Sequence, residues 1–374
     1  MIKYHVTYPP LGLLKLSAYH KALGDEVKYV CGPDDCRYNP DVIYITSLYT
    51  YAFERVGEAI TFYRNAYPKA RLICGGIYAS LCPGDIEDYW GDDVEVHRGV
   101  FPEAEDLMPD YDLLPADDDR MIKHGSTSQV FASRGCPEKC PYCFVRLLEP
   151  EFEEKRSVKH LVEENHKKVV FWDNNFFANA HWKDVLGEVA EMPNIKEIDF
   201  SQGLDCRRVN EGDVEFLRKS KVKTIRLAYD QGKVFRPLKR TVGLIKDAGI
   251  NPSRVMVYVL YNFRDTPESF WARINTLIEW GVAAFPMRYQ HKTAEPKNNF
   301  VSRNWDIDQL QTVEKFKRVL HGAIHSRGSI PSCELTRRKL LDAATFEEAF
   351  RPWGPDELRE IMNKPRPTSI ARAA

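Results

Sequence analysis

The sequence has no apolar run of about 18 residues, so no segment reads as a membrane span. It does not open with the basic, apolar and small-residue succession of a secretory signal. Cysteine is sparse, nine in 374 residues, too few and too scattered for a disulfide framework. Neither sign of charge dominates: 53 Lys and Arg stand against 54 Asp and Glu, a formal net charge of −1. Composition therefore gives no global signal for nucleic acid or membrane and leaves open only a local basic groove. These absences lead to the expectation of a cytoplasmic, reducing location and no membrane partner. What is present is an ordinary 43% apolar content and length enough for two domains.

One stretch organises the rest, Arg134-Gly-Cys-Pro-Glu-Lys-Cys-Pro-Tyr-Cys-Phe144. An apolar, strand-like run from Val130 to Ala132 leads into it. Cys136, Cys140 and Cys143 fall in the spacing C-x3-C-x2-C. Three thiolates on one short loop suit a soft metal site, zinc or iron–sulfur. Zinc would normally take a fourth Cys or His nearby. The nearest histidines, His124 and His160, complete no such pattern. A cubane iron–sulfur cluster on three cysteines keeps one iron open for a substrate or cofactor. Gly135 permits a tight turn, and Pro137 and Pro141 stiffen the loop by fixing φ.

This spacing, with Tyr142 before the third cysteine, resembles the motif of the radical S-adenosylmethionine enzymes. The resemblance implies that Cys136, Cys140 and Cys143 hold a [4Fe–4S] cluster whose open iron chelates S-adenosylmethionine. It also implies reductive cleavage to a 5′-deoxyadenosyl radical, an electron donor such as flavodoxin or ferredoxin, and Tyr142 beside the adenine. The plainer alternative, of another class, is a zinc or nucleic-acid binding module without catalysis.

Along the chain, strand-like and helix-like runs alternate. Over residues 1–100, strands are expected at Ile2–Val6, Glu26–Val30, Val42–Thr46, Arg71–Cys74 and Val94–His97. Helices are expected at Leu11–Leu23, ending at Gly24, and at Ala52–Ala66. This alternation implies a Rossmann-like parallel sheet domain. The stretches Tyr8-Pro-Pro-Leu-Gly-Leu-Leu14 and Cys74-Gly-Gly76 resemble the cobalamin-binding-type domain that precedes many radical barrels. The D-x-H-x-x-G motif of that domain is absent, and His5, His20 and His97 stand alone. The missing motif and the domain's shortness weigh against cobalamin, although relatives hold it without a histidine. Residues 101–128 are acidic and proline-bearing, with Asp117-Asp-Asp119, and read as a linker with solvated charges.

From residue 129 to 290 the alternation suggests a partial (β/α)6 barrel. Strands end in Asp173-Asn174-Asn175, Ser201-Gln-Gly-Leu-Asp205, Tyr229-Asp230, Tyr261-Asn-Phe-Arg264 and Arg288-Tyr-Gln290. Helices are expected near 157–167, 181–191, 211–220, 236–248, 267–280 and 306–325. Reactive groups of parallel barrels sit at strand C-terminal ends, where all these polar clusters fall. Under the radical resemblance, Asp173, Asn174 and Asn175 stand where the methionine amino group binds. Gln202, Asp205 and Arg207 stand at ribose and carboxylate contacts. Arg226 is a carboxylate partner, and Tyr261 lies in the strand that stacks on adenine through its backbone. No catalytic residue is assigned. Cys206 reads as a buried structural thiol beside the pocket. Residues 291–374 form a helical extension and tail. Basic groups in 288–303 and at Arg327, Arg337, Arg338 and Lys339 slightly favour a nucleotide or nucleic-acid substrate. A cobalamin-dependent radical methyltransferase is the alternative enzyme reading.

Overall fold

Leucines at 11, 13, 14 and 16 start the first helix, α1 (Leu11–Leu23), and glycine stops it. Gly24 takes φ +91°, and its N–H and that of Asp25 return to Lys21 O and His20 O, closing the last turn as an αL cap. The structure is a computed structural model that describes residues 8–34, 38–230, 232–325 and 331–363. The expected strand Ile2–Val6, with His5, Cys36, Arg327 and the tail from residue 364, lie outside the described residues, as does the side chain of Cys333.

Three parallel strands follow α1: β1 (Val42–Ser47), β2 (Arg71–Gly75) and β3 (Glu95–Val96), in that order across the sheet. Helix α2 (Phe53–Ala66) is the first crossover, and α3 (Gly76–Leu81) with α4 (Pro83–Trp90) the second. Ile45, Ile60, Leu72, Cys74, Ile86 and Val94 form the buried core of this layer. The expected strand at 26–30 is absent. Side chains hold that segment instead: Tyr29 packs against Leu14 and Leu114 and takes a 2.8 Å hydrogen bond from Arg120.

The acidic stretch is not a bare linker. It carries α5 (Pro102–Glu105) and α6 (Asp119–His124). Asp118, read as solvated, caps α6 through Arg120 N at 2.8 Å and pairs with the Arg120 guanidinium at 2.6 Å. Next comes β4 (Thr127–Val130), three residues earlier than the apolar run suggests. Then follow β5 (Ser133–Arg134), α7 (Val145–Leu148), β6 (Glu153–Glu154), β7 (Lys168–Phe171), α8 (Trp182–Glu191) and β8 (Glu197–Phe200). Strands β4, β7 and β8 form a parallel sheet, and β5 pairs antiparallel with β6. No helix spans 157–167; only a 3-10 turn at Lys159–Leu161 forms there.

The remaining elements are α9 (Glu211–Lys219), β9 (Ile225–Ala228), α10 (Phe235–Asp247), β10 (Val255–Tyr261), α11 (Pro267–Trp280) and β11 (Ala283–Arg288). They are followed by α12 (Ile307–His325), α13 (Pro331–Asp342), α14 (Phe346–Phe350) and α15 (Pro355–Asn363). Strands β9, β10 and β11 make a third parallel sheet with β10 central. The protein is thus mixed α/β with parallel sheets, none of which closes into a barrel among the described residues. Two compact units divide the chain: Met1–Gln202 with Gln290–Asn299, and Gly203–Tyr289 with Phe300–Ala374. Among the described residues no helix is long and apolar enough to cross a membrane.

Candidate cofactor site around the cysteine loop

The loop begins where β5 leaves its short hairpin. Gly135 has φ +69°, and a Cβ there would stand 2.1 Å from Glu151 O, so only glycine fits. Its N–H donates to Glu149 Oε2 at 2.7 Å. Cys143 N donates to Cys140 O at 3.1 Å, a turn that places half-buried Tyr142 at its corner. Cys136, Cys140 and Cys143 are all of intermediate exposure. Cys136 accepts hydrogen bonds from the Glu138 backbone and the Asn175 side chain, which favour its thiolate; burial outweighs them and pushes the thiol up.

A half-buried charge network fixes the loop's start. Arg134 grips Glu105 through Nε at 2.9 Å and Nη2 at 2.7 Å, a bidentate pair. Its Nη1 reaches Glu149 Oε1 at 3.0 Å, and its guanidinium lies 3.5 Å from the Phe131 ring centroid. Lys15 of α1 donates to the Glu105 backbone carbonyl; burial lowers its pKa to about 8. Glu149 Oε2 also accepts from Asn174 Nδ2 at 2.9 Å, so one carboxylate touches both the loop and the turn after β7. Sequence reasoning missed Glu149, Glu105 and the role of Arg134. No spacing motif marks them, because their partners lie far off in sequence.

The turn after β7 splits its duties. Asp173 is 2% exposed. Its Oδ1 accepts from Ser133 Oγ at 2.7 Å and its Oδ2 from Ala132 N at 3.1 Å. Burial raises its pKa to about 6 against those bonds. Its carboxylate therefore anchors the backbone that leads into the loop, a fold role that the sequence did not reveal. Asn179, fully buried, adds bonds to Ala132 O at 2.9 Å and Lys155 O at 3.0 Å. Asn174 and Asn175 face the loop through Glu149 and Cys136. Gln202, at the end of the same unit, is exposed.

The other expected residues belong to the second unit. Asp205 caps the 3-10 turn Cys206–Arg208 and holds Arg207 through Nε at 2.8 Å and Nη2 at 2.7 Å. Arg226 is half-buried on the face of β9 opposite buried Leu227. Tyr261 is fully buried, donates to Glu314 Oε1 at 2.6 Å and packs on Phe270 and Trp305. Its side chain is a core group, which leaves only its backbone for an adenine contact. Cys206 is buried, as expected, and its thiol is pushed up to about 12 by desolvation.

The donor set fits a three-thiolate cluster in chemistry and spacing. Among the described residues, however, no three His, Cys, Asp or Glu side chains gather as metal ligands. Metal loading would have to bring the three thiols together and deprotonate them, as coordination does. No protein-family model matches the chain, and no curated protein matches it.

Proposed function

We propose that this protein is a radical S-adenosylmethionine enzyme of the mixed α/β class, with a Rossmann-like first layer and a partial barrel. The observation that carries the reading is the loop itself. Three partly exposed cysteines sit on a loop whose start is tied by Glu149 and whose approach is tied by Asp173. A buried structural trio of cysteines would need no such support and would not stand half open to solvent.

In this reading Cys136, Cys140 and Cys143 would hold a [4Fe–4S] cluster which, once reduced by an external one-electron donor, would supply the electron that splits S-adenosylmethionine into methionine and a 5′-deoxyadenosyl radical. The residues of the chain then have separable tasks. Gly135 lets the chain turn at the start of the loop, where its N–H meets Glu149. Asn175 donates to Cys136 and orients its sulfur. Asn174, held by Glu149, offers an amide oxygen to the cofactor's ammonium. Tyr142, at the turn between the second and third cysteines, supplies a flat ring for the adenine. The radical would abstract a hydrogen atom from an unactivated carbon of the substrate.

The test is anaerobic reconstitution with iron and sulfide, reduction with dithionite, and addition of S-adenosylmethionine. The expected product is 5′-deoxyadenosine, formed by the wild type and not by Cys140→Ala. A reconstituted, brown, reducible protein that leaves S-adenosylmethionine intact contradicts the proposal.

A further inference from the structure

The near-neutral chain conceals one strongly basic face. After β8 the turn Cys206–Arg208 presents Arg207 and Arg208, and after β9 the chain presents Lys233 and then Arg236, Lys239 and Arg240 on α10. All but half-buried Arg207 are exposed. Helix α10 lies against the 206–208 turn: Thr241 Oγ1 donates to Cys206 O at 2.9 Å, and Arg240 Nη2 to Val209 O at 3.2 Å. Leu238, Thr241, Val242 and Ile245 bury the opposite side of the helix.

Helix stability does not account for this arrangement. The first turn of α10 holds no acidic residue, and cations near a helix N-terminus oppose its dipole. Arg236 and Arg240, four residues apart, repel. Neutralisation does not account for it either. Asp205 serves Arg207 at 2.7 Å and Arg208 at 3.6 Å. Among the described residues no carboxylate pairs with Lys233, Arg236, Lys239 or Arg240. The cations of α9 are a contrast: Arg218 and Lys219 share Glu215 at 2.7 and 3.2 Å.

We propose that the face formed by α10 and the 206–208 turn docks a nucleic-acid strand through its phosphodiester backbone. In the chain its residues follow the C-terminal ends of β8 and β9, and such ends are where folds with parallel strands place their reactive groups. A strand held there would be the substrate of the radical chemistry. That last step rests on the radical reading; the docking itself does not. Backbone contacts of this kind position a strand without reading its sequence.

The experiment is fluorescence anisotropy of a labelled single-stranded RNA with the full, metal-free protein at several salt concentrations. DNA of the same sequence and phosphatidylserine vesicles are the other arms. Wild type should bind both nucleic acids, with affinity falling as salt rises. Arg236→Ala, Lys239→Ala and Arg240→Ala together should weaken binding about tenfold and reduce the log–log salt slope by about 2, three contacts' worth for a single strand. Arg218→Ala with Lys219→Ala should leave binding and slope unchanged. Absence of wild-type binding overturns the proposal. So does an equal loss in the α9 variant, or capture by the vesicles that RNA does not displace. Because no metal is present, failure here leaves the radical chemistry standing, and failure of that chemistry leaves this result standing.

Discussion

Glu149 and Asn174, 25 residues apart in sequence, meet at 2.9 Å, and the same Glu149 oxygen takes the Gly135 N–H at 2.7 Å. One carboxylate therefore links the start of the cysteine loop to the turn that follows β7. Its other oxygen is held by Arg134, itself clamped by Glu105. Such a half-buried group, with the side chains of Arg134 and Glu149 only 16% and 15% exposed, stabilises by being complete.

Removing it should be costly. Glu149→Ala leaves the Gly135 N–H, the Asn174 amide and one side of Arg134 without an acceptor. The expected loss is about 1–3 kcal/mol in urea unfolding of the metal-free protein, because Arg134 keeps Glu105. Glu149→Gln should recover part of it. A fully stable Glu149→Ala protein would show that the network is idle.

The stability of the metal-free protein should carry the mark of Asp173. Burial raises the pKa of this group from 3.8 to about 6. The unfolded chain therefore gives up its proton first as pH rises. The stabilising contribution is complete below about pH 4 and is lost as pH climbs through about 6, a change on the order of 3 kcal/mol. Asp173→Asn cannot titrate, so its stability relative to wild type should improve across that window. Urea unfolding at pH 4.5 and 7 checks this. Parallel profiles for the two proteins would mean that the carboxyl is not the titrating group.

Asn262 combines φ +66° with complete burial at the end of β10. Its Nδ2 donates to Phe300 O at 2.9 Å and its Oδ1 accepts from Ser302 N at 2.9 Å. Asn262→Gly relaxes the backbone and removes both bonds. Hydrogen bonding to buried backbone groups outweighs the conformational relief, so the glycine variant should lose about 1–3 kcal/mol. Thermal unfolding that is unchanged or later in Asn262→Gly would show that left-handed geometry was the sole requirement.

Local chemistry was legible where one residue decides it. Gly24 ends α1 because glycine takes the αL cap, and apolar runs mark β1, β2, β7 and β8. Helix spacing misleads at 157–167. Val158, Leu161 and Val162 are buried at helical intervals, yet the Glu188 carboxylate of α8 takes Val158 N at 2.6 Å and Ser157 Oγ at 2.8 Å. A tertiary hydrogen bond holds the start of this segment, and only the 3-10 turn Lys159–Leu161 follows it. The cysteine loop was legible as a spacing, and Asp173 as a strand-end carboxylate. The direction of its side chain, back toward Ala132 and Ser133, depends on a neighbour strand. Glu149 was illegible for the same reason.

On the proposal above, Cys136, Cys140 and Cys143 hold an iron–sulfur cluster with one open iron. The most direct measurement is iron and sulfide content with electron paramagnetic resonance of the reduced protein, reconstituted without oxygen, with and without S-adenosylmethionine. Wild type and Cys206→Ala, which removes a buried thiol outside the loop, should carry a [4Fe–4S] signal that changes when S-adenosylmethionine is added. Cys136→Ala, Cys140→Ala and Cys143→Ala should each lose it, since a three-thiolate site cannot spare a ligand. Full cluster content in any one of those three variants, or a wild-type protein that takes up zinc but no iron–sulfur cluster, would contradict the claim.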